Sequence, residues 1–213
     1  MSALIVEVNG KYVGVCADCK HTNVKTGEEY NVDYPKIEKL SEHLYVGHCG
    51  YGYTIQLSMK VLKKMFDNKE FDDSTIDGAI ENLKNIYAYL LNKEPEIEKY
   101  STTKFAVIGR LKDGKAGYAI IEKAANGVYS SIIKDENGPM FSTFHPSDVP
   151  KSNMDNIVLD TRREYYDDSV PNHMEQYMKK SIEKISRMSK TVSEESIFYL
   201  YENIDWYRAL TEK

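Results

Sequence analysis

The sequence has no apolar run approaching the roughly 20 residues that a membrane-spanning helix needs, and its N-terminus lacks a basic segment followed by an apolar core. No membrane span and no secretory signal are expected, and cytoplasmic residence follows. Cysteine is scarce: three residues, an odd number, argue for reduced thiols and against a disulfide framework. There is no Gly-rich phosphate loop or cofactor box, so no cofactor is expected. Internal repeats and low-complexity tracts are missing as well. No Pro/Gly/Ser-rich linker divides the 213 residues, so a single domain spanning 1–213 is the economical reading. Positive charge is not in excess: 28 basic residues face 33 acidic ones, for a net charge of −5. The basic residues are scattered and form no stripe, which argues against nucleic acid as a partner.

What is present begins at the second residue. Ser2-Ala-Leu-Ile-Val-Glu-Val is followed by Asn9-Gly10 and then by Lys11-Tyr-Val-Gly-Val-Cys-Ala-Asp18. Asn-Gly between two alternating β-branched runs is a strong hairpin signal, because both residues tolerate positive φ. A third run leads from Tyr30 to Lys36-Ile37, and Leu44-Tyr-Val-Gly-His-Cys49 makes a fourth before Gly50-Tyr-Gly52. Ile55, Met59, Leu62 and Phe66 then recur at helical spacing. Four strands are therefore expected before the first helix.

Ser2, Asp18, Lys36 and Gly50 stand out within this arrangement. Asp18 lies sixteen residues after Ser2, and Gly50 lies fourteen after Lys36. With these spacings the chain resembles the proteasome-type N-terminal nucleophile (Ntn) hydrolases, the family of proteasome β-subunits and the related bacterial ring protease. The resemblance covers residues 2–66, with an Asp18–Lys36 stretch somewhat longer than usual. It implies a four-layer α/β (α+β) sandwich, αββα, of two antiparallel sheets between helical layers. It also implies that Ser2 is the nucleophile, Asp18 and Lys36 its supporting pair, and Gly50 the oxyanion donor. His48 and Cys49 would flank the substrate pocket, the substrate would be a peptide or amide, and the chain would form a homo-oligomer.

The chemistry explains why these residue types are needed. An Ntn nucleophile is a Thr, Ser or Cys whose own α-amine serves as general base, so it must be the first residue of the mature chain. With Met1 in place Ser2 carries an amide nitrogen, so activity requires removal of Met1, which a small following residue permits. A neighbouring Lys lowers the nucleophile's pKa, and an Asp holds that Lys. Gly lets a backbone N–H approach the oxyanion. Taken singly, each residue also has a plain reading: Asp18 as a strand end, Lys36 as a solvated cation, Gly50 as a turn glycine. A Ser-Gly-Ser segment that the family carries after its middle strands has no match here. The corresponding stretch, residues 135–148, reads as a loop-like insert with Ser142 and Ser147 as its candidate serines. A non-catalytic subunit of the same fold is therefore the alternative.

A second alternative starts from Cys16-Ala-Asp-Cys19, with His21 nearby and His48-Cys49 on a neighbouring strand, since thiols and imidazoles suit tetrahedral zinc. Against it, residues three apart on a strand point to opposite faces. Cys16 and Cys19 are expected in different layers, and no metal site is assigned.

The rest of the chain fits the same architecture. Ser74-Thr-Ile-Asp77 resembles a capping box ahead of a stripe of Ile76, Ile80, Leu83, Tyr87 and Leu90. Three short strands follow over residues 104–111, 116–123 and 128–133, with turns at Asp113-Gly114 and Asn126-Gly127. Another helix is expected from Asn172, burying Met174, Met178, Ile182 and Ile185, and residues 195–204 read as a closing strand. The 17 tyrosines, among them Tyr51, Tyr53, Tyr87, Tyr89 and the pair Tyr165-Tyr166, suit half-wet positions such as subunit interfaces.

Overall fold

The structure, a computed structural model, describes residues 2–22, 28–29, 35–93 and 103–205. Its elements are β1 (Leu4–Asn9), β2 (Tyr12–Asp18), β3 (Ile37–Lys39), β4 (Leu44–Cys49), α1 (Gly52–Asp67) and α2 (Asp77–Lys93). They continue as β5 (Lys104–Arg110), β6 (Ala116–Ala124), β7 (Gly127–Lys134), β8 (Met140–Phe144), α3 (Lys151–Glu164), α4 (Val170–Ser186) and β9 (Ser196–Glu202). One sheet has the order β8-β1-β2-β9 and the other β3-β4-β5-β6-β7, with antiparallel pairing throughout.

Strand alternation sorts the side chains into layers. On β1, Leu4, Val6 and Val8 face the second sheet, where they meet Tyr45, Ala106, Ile108 and Tyr118. The intervening Ile5 faces outward onto Met154 and Val158 of α3 and Met174, Met178 and Ile182 of α4. The outer face of the second sheet, with Val46, Phe105 and Val107, is covered by Ile55, Met59 and Leu62 of α1 and Ile80, Leu83 and Tyr87 of α2. The result is the expected four layers: α1 and α2, five-stranded sheet, four-stranded sheet, α3 and α4. None of the described helices is long and apolar enough to cross a membrane.

Several local expectations shift. The first turn is Gly10-Lys11, not Asn9-Gly10, because Asn9 pairs with Tyr12; Gly10 supplies the positive φ, at 58°. The Ser74 hydroxyl bonds the Asp72 carboxylate at 2.6 Å and does not cap α2. The third strand is only Ile37–Lys39, and the part of its expected run at residues 30–34 lies outside the described residues. Residues 135–148 are not simply a loop: they include β8, which pairs with β1 over Leu4↔Phe144 to Val8↔Met140. α3 was not read from the sequence at all. It buries only Met154, Val158 and Thr161 along fourteen residues, too sparse a stripe to signal a helix.

Candidate active site

The start of β1, the end of β2 and the segment entering β3 converge on Asp18, which is fully buried. Asp18 Oδ1 accepts the Ala3 N–H at 2.9 Å and lies 2.7 Å from the Lys36 ammonium. Its Oδ2 accepts the N–H groups of Lys20 at 3.0 Å and Ser193 at 3.4 Å. Three backbone N–H donors and one ammonium, from four parts of the chain, thus fix one carboxylate. The expected Asp18–Lys36 pair is present, and Ser2 directly precedes Ala3, whose N–H bonds the same carboxylate.

Lys36 is almost as buried as Asp18, with 2% of its side chain exposed. Burial lowers its pKa below 10.5, and the charge and hydrogen bond of Asp18 oppose that shift without cancelling it. Its carbonyl accepts the His48 N–H at 2.9 Å, which ties the segment ahead of β3 to β4.

β4 delivers the next two residues to opposite faces. Cys49 points toward the other sheet, and its thiol donates to the Ser2 carbonyl at 3.1 Å. Burial raises the Cys49 pKa, against the opposing effects of that hydrogen bond and of Lys36. His48 is 1% exposed, and burial depresses its pKa to about 3, so the ring is neutral near pH 7. His21, half-buried, is lowered to about 4 by burial and then by the Lys36 charge. The neighbourhood of Ser2 therefore holds one cation–carboxylate pair among neutral imidazoles and thiols.

Gly50 ends β4 with φ 124°, a conformation that suits glycine, and turns the chain into α1. The next amide, Tyr51 N–H, bonds the buried Thr103 hydroxyl at 3.1 Å, which anchors this corner.

Of the serines considered from the sequence, Ser142 sits on β8 opposite Val6, and its hydroxyl shares a 2.9 Å hydrogen bond with Tyr118. It does not reach the Ser2 end of the sheet. Ser147 is exposed in the β8–α3 connection, which follows Phe144, the partner of Leu4. Ser193 was missed: besides its N–H on Asp18, its hydroxyl accepts the Cys19 N–H at 3.0 Å and donates to the Glu195 carbonyl at 2.8 Å. Only the tertiary return of β9 beside β2 brings it there, so no local signal existed.

Cys16 and Cys19 are separated, though not by the strand parity expected: β2 ends at Asp18, so Cys19 lies beyond the strand and faces no layer. Cys16 is buried against α4, where burial pushes its thiol to about 12, and Cys19 is exposed. No group of three metal-ligating side chains occurs among the described residues.

No protein-family model matches this sequence, and no curated protein matches it either. Solved structures do. Anbu (ancestral beta-subunit) from Yersinia bercovieri superposes with a TM-score of 0.68 at 13% identity, over 95% of this chain and 82% of that one. Eukaryotic HslV from Trypanosoma brucei superposes with a TM-score of 0.57 at 13% identity, over 94% of this chain and 99% of that one. The fold is that of the proteasome-type Ntn hydrolases.

Proposed function

We propose that the chain is an Ntn amidohydrolase or peptidase, active when Ser2 is the N-terminal residue and Met1 has been removed. The observation that carries this reading is the buried Lys36–Asp18 pair at 2.7 Å, with the backbone N–H beside Ser2 bonded to the same carboxylate oxygen. A buried ammonium is costly, and here it is retained on the carboxylate that also holds the N–H of Ala3, the residue after the nucleophile candidate Ser2.

The Ser2 hydroxyl attacks the carbonyl carbon of a peptide or amide, and its proton passes to the Ser2 α-amine, directly or through water. An α-amine pKa of about 7.7 to 8.0 suits that work near neutral pH. The Lys36 charge favours the ionised hydroxyl, Asp18 fixes Lys36, and the Gly50 N–H stabilises the oxyanion. Collapse of the tetrahedral adduct returns the proton to the leaving amine and leaves an ester on Ser2, which water hydrolyses. Cys49, whose thiol bonds the Ser2 carbonyl, borders this centre directly, and His48, on the opposite face of β4, influences which side chain is accepted through its backbone bond to Lys36. The active form is a homo-oligomer in the cytoplasm.

One observation favours a second reading, a non-catalytic subunit of the same fold: Ser142 is engaged with Tyr118, away from Ser2. Hydrolysis of a panel of peptides and simple amides by Met-free protein, with Met-retaining protein as control, separates the two. Turnover by the Met-free form alone supports the hydrolase; no turnover by either supports the subunit.

A further inference from the structure

We propose that Asn126 is a site of spontaneous deamidation in the folded protein, and that Asp135 protects the two other Asn-Gly sequences from the same reaction. Asn-Gly occurs three times in the chain, at Asn9-Gly10, Asn126-Gly127 and Asn137-Gly138. In such a pair the glycine nitrogen can attack the asparagine Cγ, because glycine has no Cβ to obstruct the approach. The nitrogen gives up its proton to water and bonds to Cγ, and the side-chain nitrogen takes a proton from water and leaves as ammonia. Water then opens the resulting succinimide at either carbonyl, giving aspartate or isoaspartate. The attacking species is the deprotonated nitrogen, so the surroundings of the glycine N–H set the rate.

Two of the three N–H groups are held by one carboxylate. Gly10 N–H donates to Asp135 Oδ2 at 2.7 Å, and Gly138 N–H donates to Asp135 Oδ1 at 2.9 Å. A negatively charged acceptor holds the proton strongly, and its charge disfavours a second anion on the nitrogen. The bond also restricts the rotation through which the nitrogen reaches Cγ. Asn9 is restrained further, as the last residue of β1 and the partner of Tyr12.

Asn126 and Asn137 form a matched comparison. Both are exposed, and both following glycines have positive φ, 137° at Gly127 and 119° at Gly138. A Cβ placed on either glycine would meet nothing within 4 Å. Access and backbone freedom are therefore alike, and the carboxylate is the difference. Gly127 opens β7 opposite Ala124, in the pair that closes the β6–β7 hairpin. Across that last rung the facing acceptor is a neutral carbonyl, and the end of a ladder opens at little cost. Conversion adds one negative charge to the net −5 of the chain, and isoaspartate adds a methylene to the backbone at the tip. The change falls at the end of the five-stranded sheet that carries Cys49, since Cys49, Lys104, Glu122 and Tyr129 are register partners in turn.

The test is peptide mapping by mass spectrometry of the full chain kept near neutral pH over several weeks, following the gain of one mass unit at each asparagine. In folded wild type, Asn126 should convert at least about tenfold faster than Asn137 or Asn9, the factor that one charge-assisted hydrogen bond supplies. Asp135→Ala, with an unchanged circular dichroism spectrum, should bring Asn137 up to the Asn126 rate, accelerate Asn9 and leave Asn126 as it was. Asp135→Asn, which keeps an acceptor and removes the charge, should also accelerate Asn137 and decides the matter should the alanine variant misfold. No conversion at Asn126, conversion of Asn137 as fast as Asn126 in wild type, or a folded Asp135 variant in which Asn137 is no faster would each overturn the proposal.

Discussion

The β1–β2 hairpin buries two carboxylates, and they are held very differently. Glu7, toward the turn, faces α3 and α4, where it accepts two hydrogen bonds from Arg162 at 3.1 and 3.2 Å and one from Tyr177. Burial works against the Arg162 charge, but the contacts with Glu7 outweigh it and raise its pKa; burial and the Glu7 charge together raise that of Tyr177 well above 10. Every proton near Glu7 is thus held more tightly. Asp18, at the opposite end, is saturated mostly by backbone amides, and its one side-chain cation has a lowered pKa. A buried bidentate Arg–carboxylate pair is suited to fastening two helices to a sheet. A buried Lys whose proton is held less tightly is suited to chemistry. On the proposed function the same kind of pair would serve two purposes on one hairpin, with the choice of cation separating them.

Substitution should break this contrast in opposite ways. The largest effect belongs to Ser2→Ala and Lys36→Ala, each of which should abolish amide hydrolysis by Met-free protein, by about 10²-fold or more. Circular dichroism should stay native, because Asp18 keeps its three backbone donors. Glu7→Gln should do the reverse: a loss of about 3 kcal/mol in urea unfolding, with the rate per folded molecule unchanged. Tyr177→Phe removes a single hydrogen bond to the same carboxylate, and about 2 kcal/mol is expected by the same measurement.

The smallest effect is a pH slope. Lys36 has a folded pKa below 10.5, so between that lowered value and 10.5 the unfolded chain binds more protons than the folded one. Stability should therefore rise with pH across this window, by less than about 1.4 kcal/mol per pH unit. Lys36→Met should remove that rise, and a pH series of denaturant unfolding on both proteins reads it directly.

Much of this layout was legible in the residues themselves. The hairpin, the entry to β4 and the helical stripe after Gly50 all follow local periodicity, and the Ser2–Asp18 spacing survives as a spatial relation because antiparallel pairing converts sequence offsets into fixed positions, while the β3–β4 register sets Lys36 beside His48, two residues short of Gly50. β8 and α3 were not legible. β8 is five residues long and becomes a strand by pairing with β1, while α3 is held by three buried side chains and by the Thr143–Asp155 hydrogen bond. Ser193 was hidden for a related reason: its link to Asp18 joins residues 175 positions apart and exists only once β9 lies beside β2.

The central claim is that the Asp18–Lys36 pair activates Ser2. Intact-mass analysis of Met-free protein treated with a β-lactone, an electrophile that acylates N-terminal hydroxyl nucleophiles, tests it most directly. The account predicts one adduct per chain, located on Ser2 by peptide mapping and lost in both Ser2→Ala and folded Lys36→Ala. No adduct on wild-type protein with a free Ser2 amine, or equal labelling of Lys36→Ala, would contradict it.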